Sequence, residues 1–165
     1  MEMEKEIEFT WEDIIKLCNI IAERISKEYG TVDLVVGILR SGAIPAAIVS
    51  MLLGVDEVYM IRVIHYEDGM PPREITREPI VRREISMNVR GKSILVVDDL
   101  IRTGKTLIKV ISELKRLGAR RVISSCLVLR ESEEKPVLIP DVYAIKTKRC
   151  PKFPWHALCN IRKTT

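Results

Sequence analysis

Two adjacent carboxylates, Asp98 and Asp99, are followed a few residues later by Thr103-Gly104-Lys105-Thr106. An acid pair can accept hydrogen bonds from vicinal hydroxyls or hold a hard cation such as magnesium. A Thr-Gly step at the start of a helix offers unpaired backbone N–H groups, hydroxyl donors and the positive end of the helix dipole, all suited to a phosphate. Gly104 permits the tight turn and close backbone approach that such a loop needs. Leu100, Ile101 and Arg102 form the short span between the acids and the helix start. The chemistry this pattern fits is the binding of a ribose phosphate, with magnesium as a possible companion. A nucleoside-triphosphate loop requires a longer glycine-to-lysine spacing and does not match. A second loop, Gly37-Ile38-Leu39-Arg40-Ser41-Gly42-Ala43-Ile44-Pro45, breaks an apolar run and leads into a helix. Taken alone, the Arg40 turn could equally be a plain surface loop.

These residues need elements to position them. Ser93 to Val97 is a short apolar run that reads as a buried strand delivering the acids, and a helix from Gly104 to about Leu117 follows. Leu34 to Ile38 is another such strand, and a helix from about Pro45 to Leu53, ended by Gly54, follows it. Thr10 with Asp13 three residues on reads as a capping box, opening a helix that runs to about Tyr29. Glu57 to His65, Arg121 to Leu129 and Asp141 to Ile145 read as further strands. Alternating strands and helices predict an α/β protein with a mostly parallel sheet, as one domain over residues 1–165. Glu67 to Arg83 holds Pro71, Pro72, Pro79, Gly69 and many charges, and it reads as a long loop of the kind that forms lids. Residues 130–165 are less regular and are expected to form a small hood over the strand ends.

Composition narrows the class. The chain has 165 residues, 47% of them apolar and 30% charged, which fits a soluble globular domain. No run reaches the length of a membrane span, and the acidic Met1 to Glu8 is no signal peptide, so a cytoplasmic protein is expected. The net charge of +4 and the 5% aromatic content argue against a nucleic-acid partner and fit a small anionic substrate. Cys18 and Cys126 lie in apolar runs and read as buried thiols. Cys150 and Cys159 could pair, or bind a metal with His156, although the spacing matches no known zinc module.

The Val96 to Leu107 segment resembles the phosphoribosyl pyrophosphate (PRPP) signature of type I phosphoribosyltransferases. The Arg40 loop resembles that family's pyrophosphate loop, and Glu67 to Arg83 stands where the family has its lid, at about 65–85. Ile139-Pro140-Asp141-Val142-Tyr143 and Phe153-Pro154-Trp155 resemble the small archaeal xanthine/guanine-type enzymes. The resemblance implies the type I fold, and transfer of phosphoribose from PRPP to a nucleobase, giving a nucleoside monophosphate and pyrophosphate. A purine (guanine, hypoxanthine, xanthine or adenine) is the implied acceptor. It further implies PRPP contacts from Asp98 to Thr106, pyrophosphate contacts from Leu39 to Gly42, a cis Leu39–Arg40 peptide, magnesium at Asp98 and Asp99, and a homodimer.

Three positions depart from the family pattern. Arg102 stands where 6-oxopurine enzymes carry an Asp that handles the purine proton, and arginine cannot act as a base. Cys150, followed by Pro151, stands where a base-stacking aromatic is expected. Lys135 is a candidate for the base's oxygen, with Lys146, Lys148 and Lys152 as others. Phe153 and Trp155 could stack on a base or belong to the core. The departures leave a second reading open, a non-catalytic regulator that senses PRPP or a nucleotide on the same fold.

Overall fold

Apolar runs alternate with amphipathic ones along the chain, and the computed structural model arranges them as helices on both faces of one sheet. It describes residues 6–64, 66–67, 73–74, 78–81 and 87–163. In chain order the elements are β1 (Glu6–Glu8), α1 (Trp11–Tyr29), β2 (Leu34–Leu39), α2 (Ala43–Leu53), β3 (Val58–Ile64), β4 (Tyr66–Glu67) and β5 (Arg73–Glu74). There follow β6 (Ile80–Val81), β7 (Ser93–Ile101), α3 (Lys105–Arg116), β8 (Arg121–Arg130), β9 (Val142–Thr147), β10 (Cys150–Lys152) and a 3-10 stretch, Pro154–Lys163.

The main sheet has the order β6-β3-β2-β7-β8-β9. All its pairs are parallel except β3 with β6. The chain leaves β2 toward β3 on one side and later returns to β7 on the other. The strand order therefore reverses at β2/β7, and the crevice beyond the carboxyl ends of those strands is where open α/β sheets bind ligands.

Each face of the sheet is closed by a helical stripe. The capping box forms as expected: Asp13 N donates to Thr10 Oγ1 at 3.2 Å and Thr10 N donates to Asp13 Oδ2 at 2.8 Å. α1 then buries Ile14, Leu17, Cys18, Ile21 and Ile25 against Val35, Leu95, Val97 and Ile123. On the other face, α3 buries Leu107, Val110 and Leu114 against Val36, Val96 and Cys126. Full burial of such a side chain contributes about 1.5–3 kcal/mol, so these two stripes hold the strand ends in register.

Four details differ from the sequence expectation. β7 runs on through the acid pair to Ile101, paired with β8 at Asp98↔Cys126 and Leu100↔Val128, so the strand read as Ser93 to Val97 is longer and itself carries the acids. α2 starts at Ala43 and takes Pro45 into its first turn, where no helical N–H is missed. Only part of residues 130–165 can form a hood, because β9 joins the main sheet as its edge strand beside β8. The remainder draws on the other end of the chain: β1 pairs in parallel with β10, Ile7 opposite Pro151, and Phe9 stacks on Phe153 at 5.6 Å. Most of the proposed lid at 65–85 lies outside the described residues, apart from the short pairs of β4 with β5 and β6 with β3. No helix among the described residues is long and apolar enough to cross a membrane.

Candidate active site

The end of β2 and the end of β7 meet at the strand-order reversal. After Leu39 the chain turns through a cis Leu39–Arg40 peptide and enters α2, with Gly42 as its N-cap. Glycine is required there by space. A Cβ on Gly42 would stand 2.4 Å from the Ile38 carbonyl oxygen and 2.9 Å from Asp98 Oδ1. The Arg40–Gly42 loop is thus packed directly on the first acid of β7. Gly37, within β2, is also tight: a Cβ there would meet Met60 Sδ at 2.7 Å and Ala46 Cβ at 2.8 Å. Arg40 is exposed at the rim, and Leu39 and Ser41 are partly buried.

The two acids are held by their own backbone. Asp99 N donates to Asp98 Oδ1 at 2.9 Å, and Leu100 N donates to Asp99 Oδ1 at 2.8 Å. Burial, and then the charge of Asp99, raise the Asp98 pKa well above its ordinary 3.8. Burial, and then the charge of Asp98, also raise the Cys126 thiol directly across on β8. A carboxyl in this state gains from a cation or from hydroxyl donors.

The loop after β7 is short: Arg102, Thr103 and Gly104 link β7 to α3. Gly104 caps α3 in the left-handed region at φ 81°. Its missing side chain also lets the chain of residues 137–138 lie against it, since a Cβ would stand 2.4 Å from the Leu138 carbonyl oxygen. Val137 N and Leu138 N both donate to the Thr103 carbonyl, at 2.8 and 3.4 Å. Lys105 Nζ reaches Glu134 at 3.5 Å. Thr103 is buried, whereas Arg102, Lys105 and Thr106 are partly exposed.

The residues expected at the base lie in three places. Lys135 is exposed on the loop that is pinned to Thr103. Cys150 and Pro151 lie in β10, and Cys150 is a free thiol. Phe153 and Trp155, 3% and 7% exposed, belong to the α1 side of the core. They stack on each other at 4.7 Å. His156 Nδ1 accepts from Phe153 N at 3.2 Å. Burial lowers the His156 pKa, and the Asp99 charge opposes that shift. Among the described residues no cluster of three or more His, Cys, Asp or Glu could hold a metal. One residue escaped the sequence reading: Arg130, 7% exposed at the end of β8. It falls one residue past the strand read as Arg121 to Leu129, and its only signal was its place at the end of that apolar run.

At one switch point the parallel sheet thus carries a glycine-tight loop after β2, an acid pair on β7 and a Thr-Gly turn that opens α3. The model of the family described as "Phosphoribosyl transferase domain" matches residues 8–159, and the chain belongs to that family. It is 27% identical over 147 residues, 82% of this chain and 70% of the other, to Transcriptional regulator GfcR 1 of Methanosarcina barkeri. It is 30% identical over 140 residues, 84% of this chain and 65% of the other, to Orotate phosphoribosyltransferase 2 of Mesorhizobium japonicum. The chain thus spans about two thirds of the length of these curated relatives. Among solved structures, the purine phosphoribosyltransferase of Pyrococcus horikoshii superposes with a TM-score of 0.74 at 29% identity, covering 91% of this chain and 93% of that one.

Proposed function

We propose that this protein transfers the 5-phosphoribosyl group of PRPP to a nucleobase, a purine by likeness to the Pyrococcus enzyme, releasing pyrophosphate. The contact between Gly42 and Asp98 carries this reading. It brings the anion loop of β2 within reach of the ribose hydroxyls that the acid pair would hold.

In the proposed reaction the Thr103–Thr106 turn binds the 5-phosphate with backbone N–H groups and hydroxyls. Asp98 and Asp99 accept the two ribose hydroxyls. Arg40, Ser41 and the N-terminus of α2 receive the pyrophosphate, whose charge grows as the bond to ribose C1 breaks. Asp98 and Asp99 also fit magnesium, because both are hard oxygen donors and a cation would offset the burial, and then the Asp99 charge, that raise Asp98. Magnesium held there would supply positive charge to offset that of the pyrophosphate. The hood and a lid at about 65–85 would keep water from C1. The proposal takes the working unit to be a homodimer, with the exposed Met51 and Leu52 of α2 at the contact.

The likeness to GfcR 1 favours a second reading, a regulator that senses PRPP or a nucleotide. Pyrophosphate release separates the two. With magnesium, PRPP and each nucleobase in turn, turnover with at least one base is expected. If no base supports release while PRPP still raises the melting temperature, the enzyme reading fails and the sensor reading takes its place.

A further inference from the structure

The segment between β8 and β9 is tied by its backbone at two places. Glu131 N donates to the Thr147 carbonyl at 2.8 Å, and Val137 N donates to the Thr103 carbonyl at 2.8 Å. Between these ties, Glu134 reaches the first residue of α3: its Oε1 lies 3.5 Å from Lys105 Nζ. Lys105 follows Gly104, the cap of that helix, and so belongs to the turn assigned to the 5-phosphate. Glu133, one residue before Glu134, is exposed and carries the same charge.

This arrangement sets two anions against one cation. A phosphate at the Thr103–Thr106 turn draws on the N–H groups of the first turn of α3 and on the ammonium that the same turn carries. An ammonium is a compact charge on a flexible stem, so it can leave one oxygen for another. Its pair with Glu134 is a loose one. With side chains 31% and 51% exposed, such a pair is closed only about 1.5- to 5-fold more often than it is open. A ligand that needs Lys105 binds the open fraction, and its affinity falls by about 2- to 6-fold. PRPP and the nucleoside monophosphate carry the same 5-phosphate, so substrate and product are weakened alike and the product leaves sooner.

We propose that Glu134 is a positioning residue that competes with the 5-phosphate for Lys105, so that filling the phosphate turn frees the middle of the 131–136 segment from α3. This rests on the phosphoribosyl-transfer reading, and within it on the 5-phosphate lying at Thr103–Thr106. The stretch released carries Lys135, while the ties to Thr147 and Thr103 on either side of it stay in place. The pyrophosphate, held at Arg40–Gly42 after β2, takes no part in the competition.

Calorimetric titration of the intact chain with ribose 5-phosphate, and separately with inorganic pyrophosphate, tests this. Glu134→Gln is expected to tighten ribose 5-phosphate about 2- to 6-fold and to leave pyrophosphate unchanged. In turnover, the KM for PRPP should fall by a similar factor with no rise in kcat, as for an interaction shared by ground and transition states. Lys105→Met should weaken ribose 5-phosphate roughly 10- to 100-fold, the scale of a hydrogen bond to a charged group, and Lys105→Arg should recover part of that loss. Lys105→Gln stands in if Lys105→Met does not fold. In the Lys105→Met background, Glu134→Gln should have no effect. A tightening that persists there, or that Glu133→Gln reproduces, is plain repulsion between carboxylate and phosphate and overturns the inference. Unchanged affinity in Glu134→Gln, with ribose 5-phosphate still bound by the intact chain, overturns it and leaves the transfer reading standing. An intact chain that binds no ribose 5-phosphate overturns the phosphate assignment and the inference together.

Discussion

A carboxyl that is taken out of water and set beside a second carboxyl keeps its proton more tightly, and Asp98 is in both situations. The folded chain then holds that proton at pH values where the unfolded chain, titrating near 3.8, has released it. Stability must fall as pH climbs from the unfolded value through the raised native one. Asp98→Asn removes the charge and keeps an oxygen to accept from Asp99 N. In the ligand-free protein it should raise the melting temperature at pH 8 by about 2–4 °C, the effect of roughly 1 kcal/mol in a domain of this size. The gain should shrink toward zero near pH 4, and PRPP affinity should drop. Calorimetry across pH and a PRPP titration check the two halves. Equal melting temperatures at pH 8 would show that Asp98 carries no such cost.

At the scale of elements, the turn from β7 into α3 depends on Gly104 for both its left-handed backbone and its contact with Leu138. Gly104→Ala should cost on the order of 1–3 kcal/mol, the range for a side chain forced into a sparsely populated backbone region. It should also free the Val137 and Leu138 amides from the Thr103 carbonyl, which hydrogen exchange would record as faster exchange at those two positions. Both loops were legible in the sequence because each follows an apolar strand and opens a helix, so the signal is local. The extension of β7 through Asp98 and Asp99 was not legible, since it depends on Cys126 and Val128 of a neighbouring strand. The pairing of β1 with β10 joins the two ends of the chain and leaves no periodic trace in either. Phe153 and Trp155 were open between base and core, and their packing on Phe9 and α1 could only come from that same distant pairing. Arg130 was hidden for a related reason: a charge at the end of an apolar run looks like the beginning of a loop unless its burial is known.

For the whole molecule, the apolar side chains left outside the two cores matter most. Met51 and Leu52, 76% and 44% exposed, end α2 on the side away from the acids. As the contact of the proposed homodimer they would be covered, and sedimentation at micromolar concentration should give twice the chain mass. Met51→Glu should shift that mass toward the monomer without unfolding the chain. A monomer in the unaltered protein would remove the homodimer from the proposal.

The hydrogen bonds from Val137 and Leu138 to Thr103 have a consequence for how such a protein can change its preferences. The loop bearing Lys135 shares a carbonyl with the turn assigned to the phosphate, so the two are not interchangeable modules. An exchange of residues 131–141 for the corresponding loop of a relative would carry a new acceptor wall into place only if two backbone amides arrived at the same height above Gly104. A replacement that keeps this pin leaves the turn after β7 in place, whereas one that loses it must rebuild that turn as well.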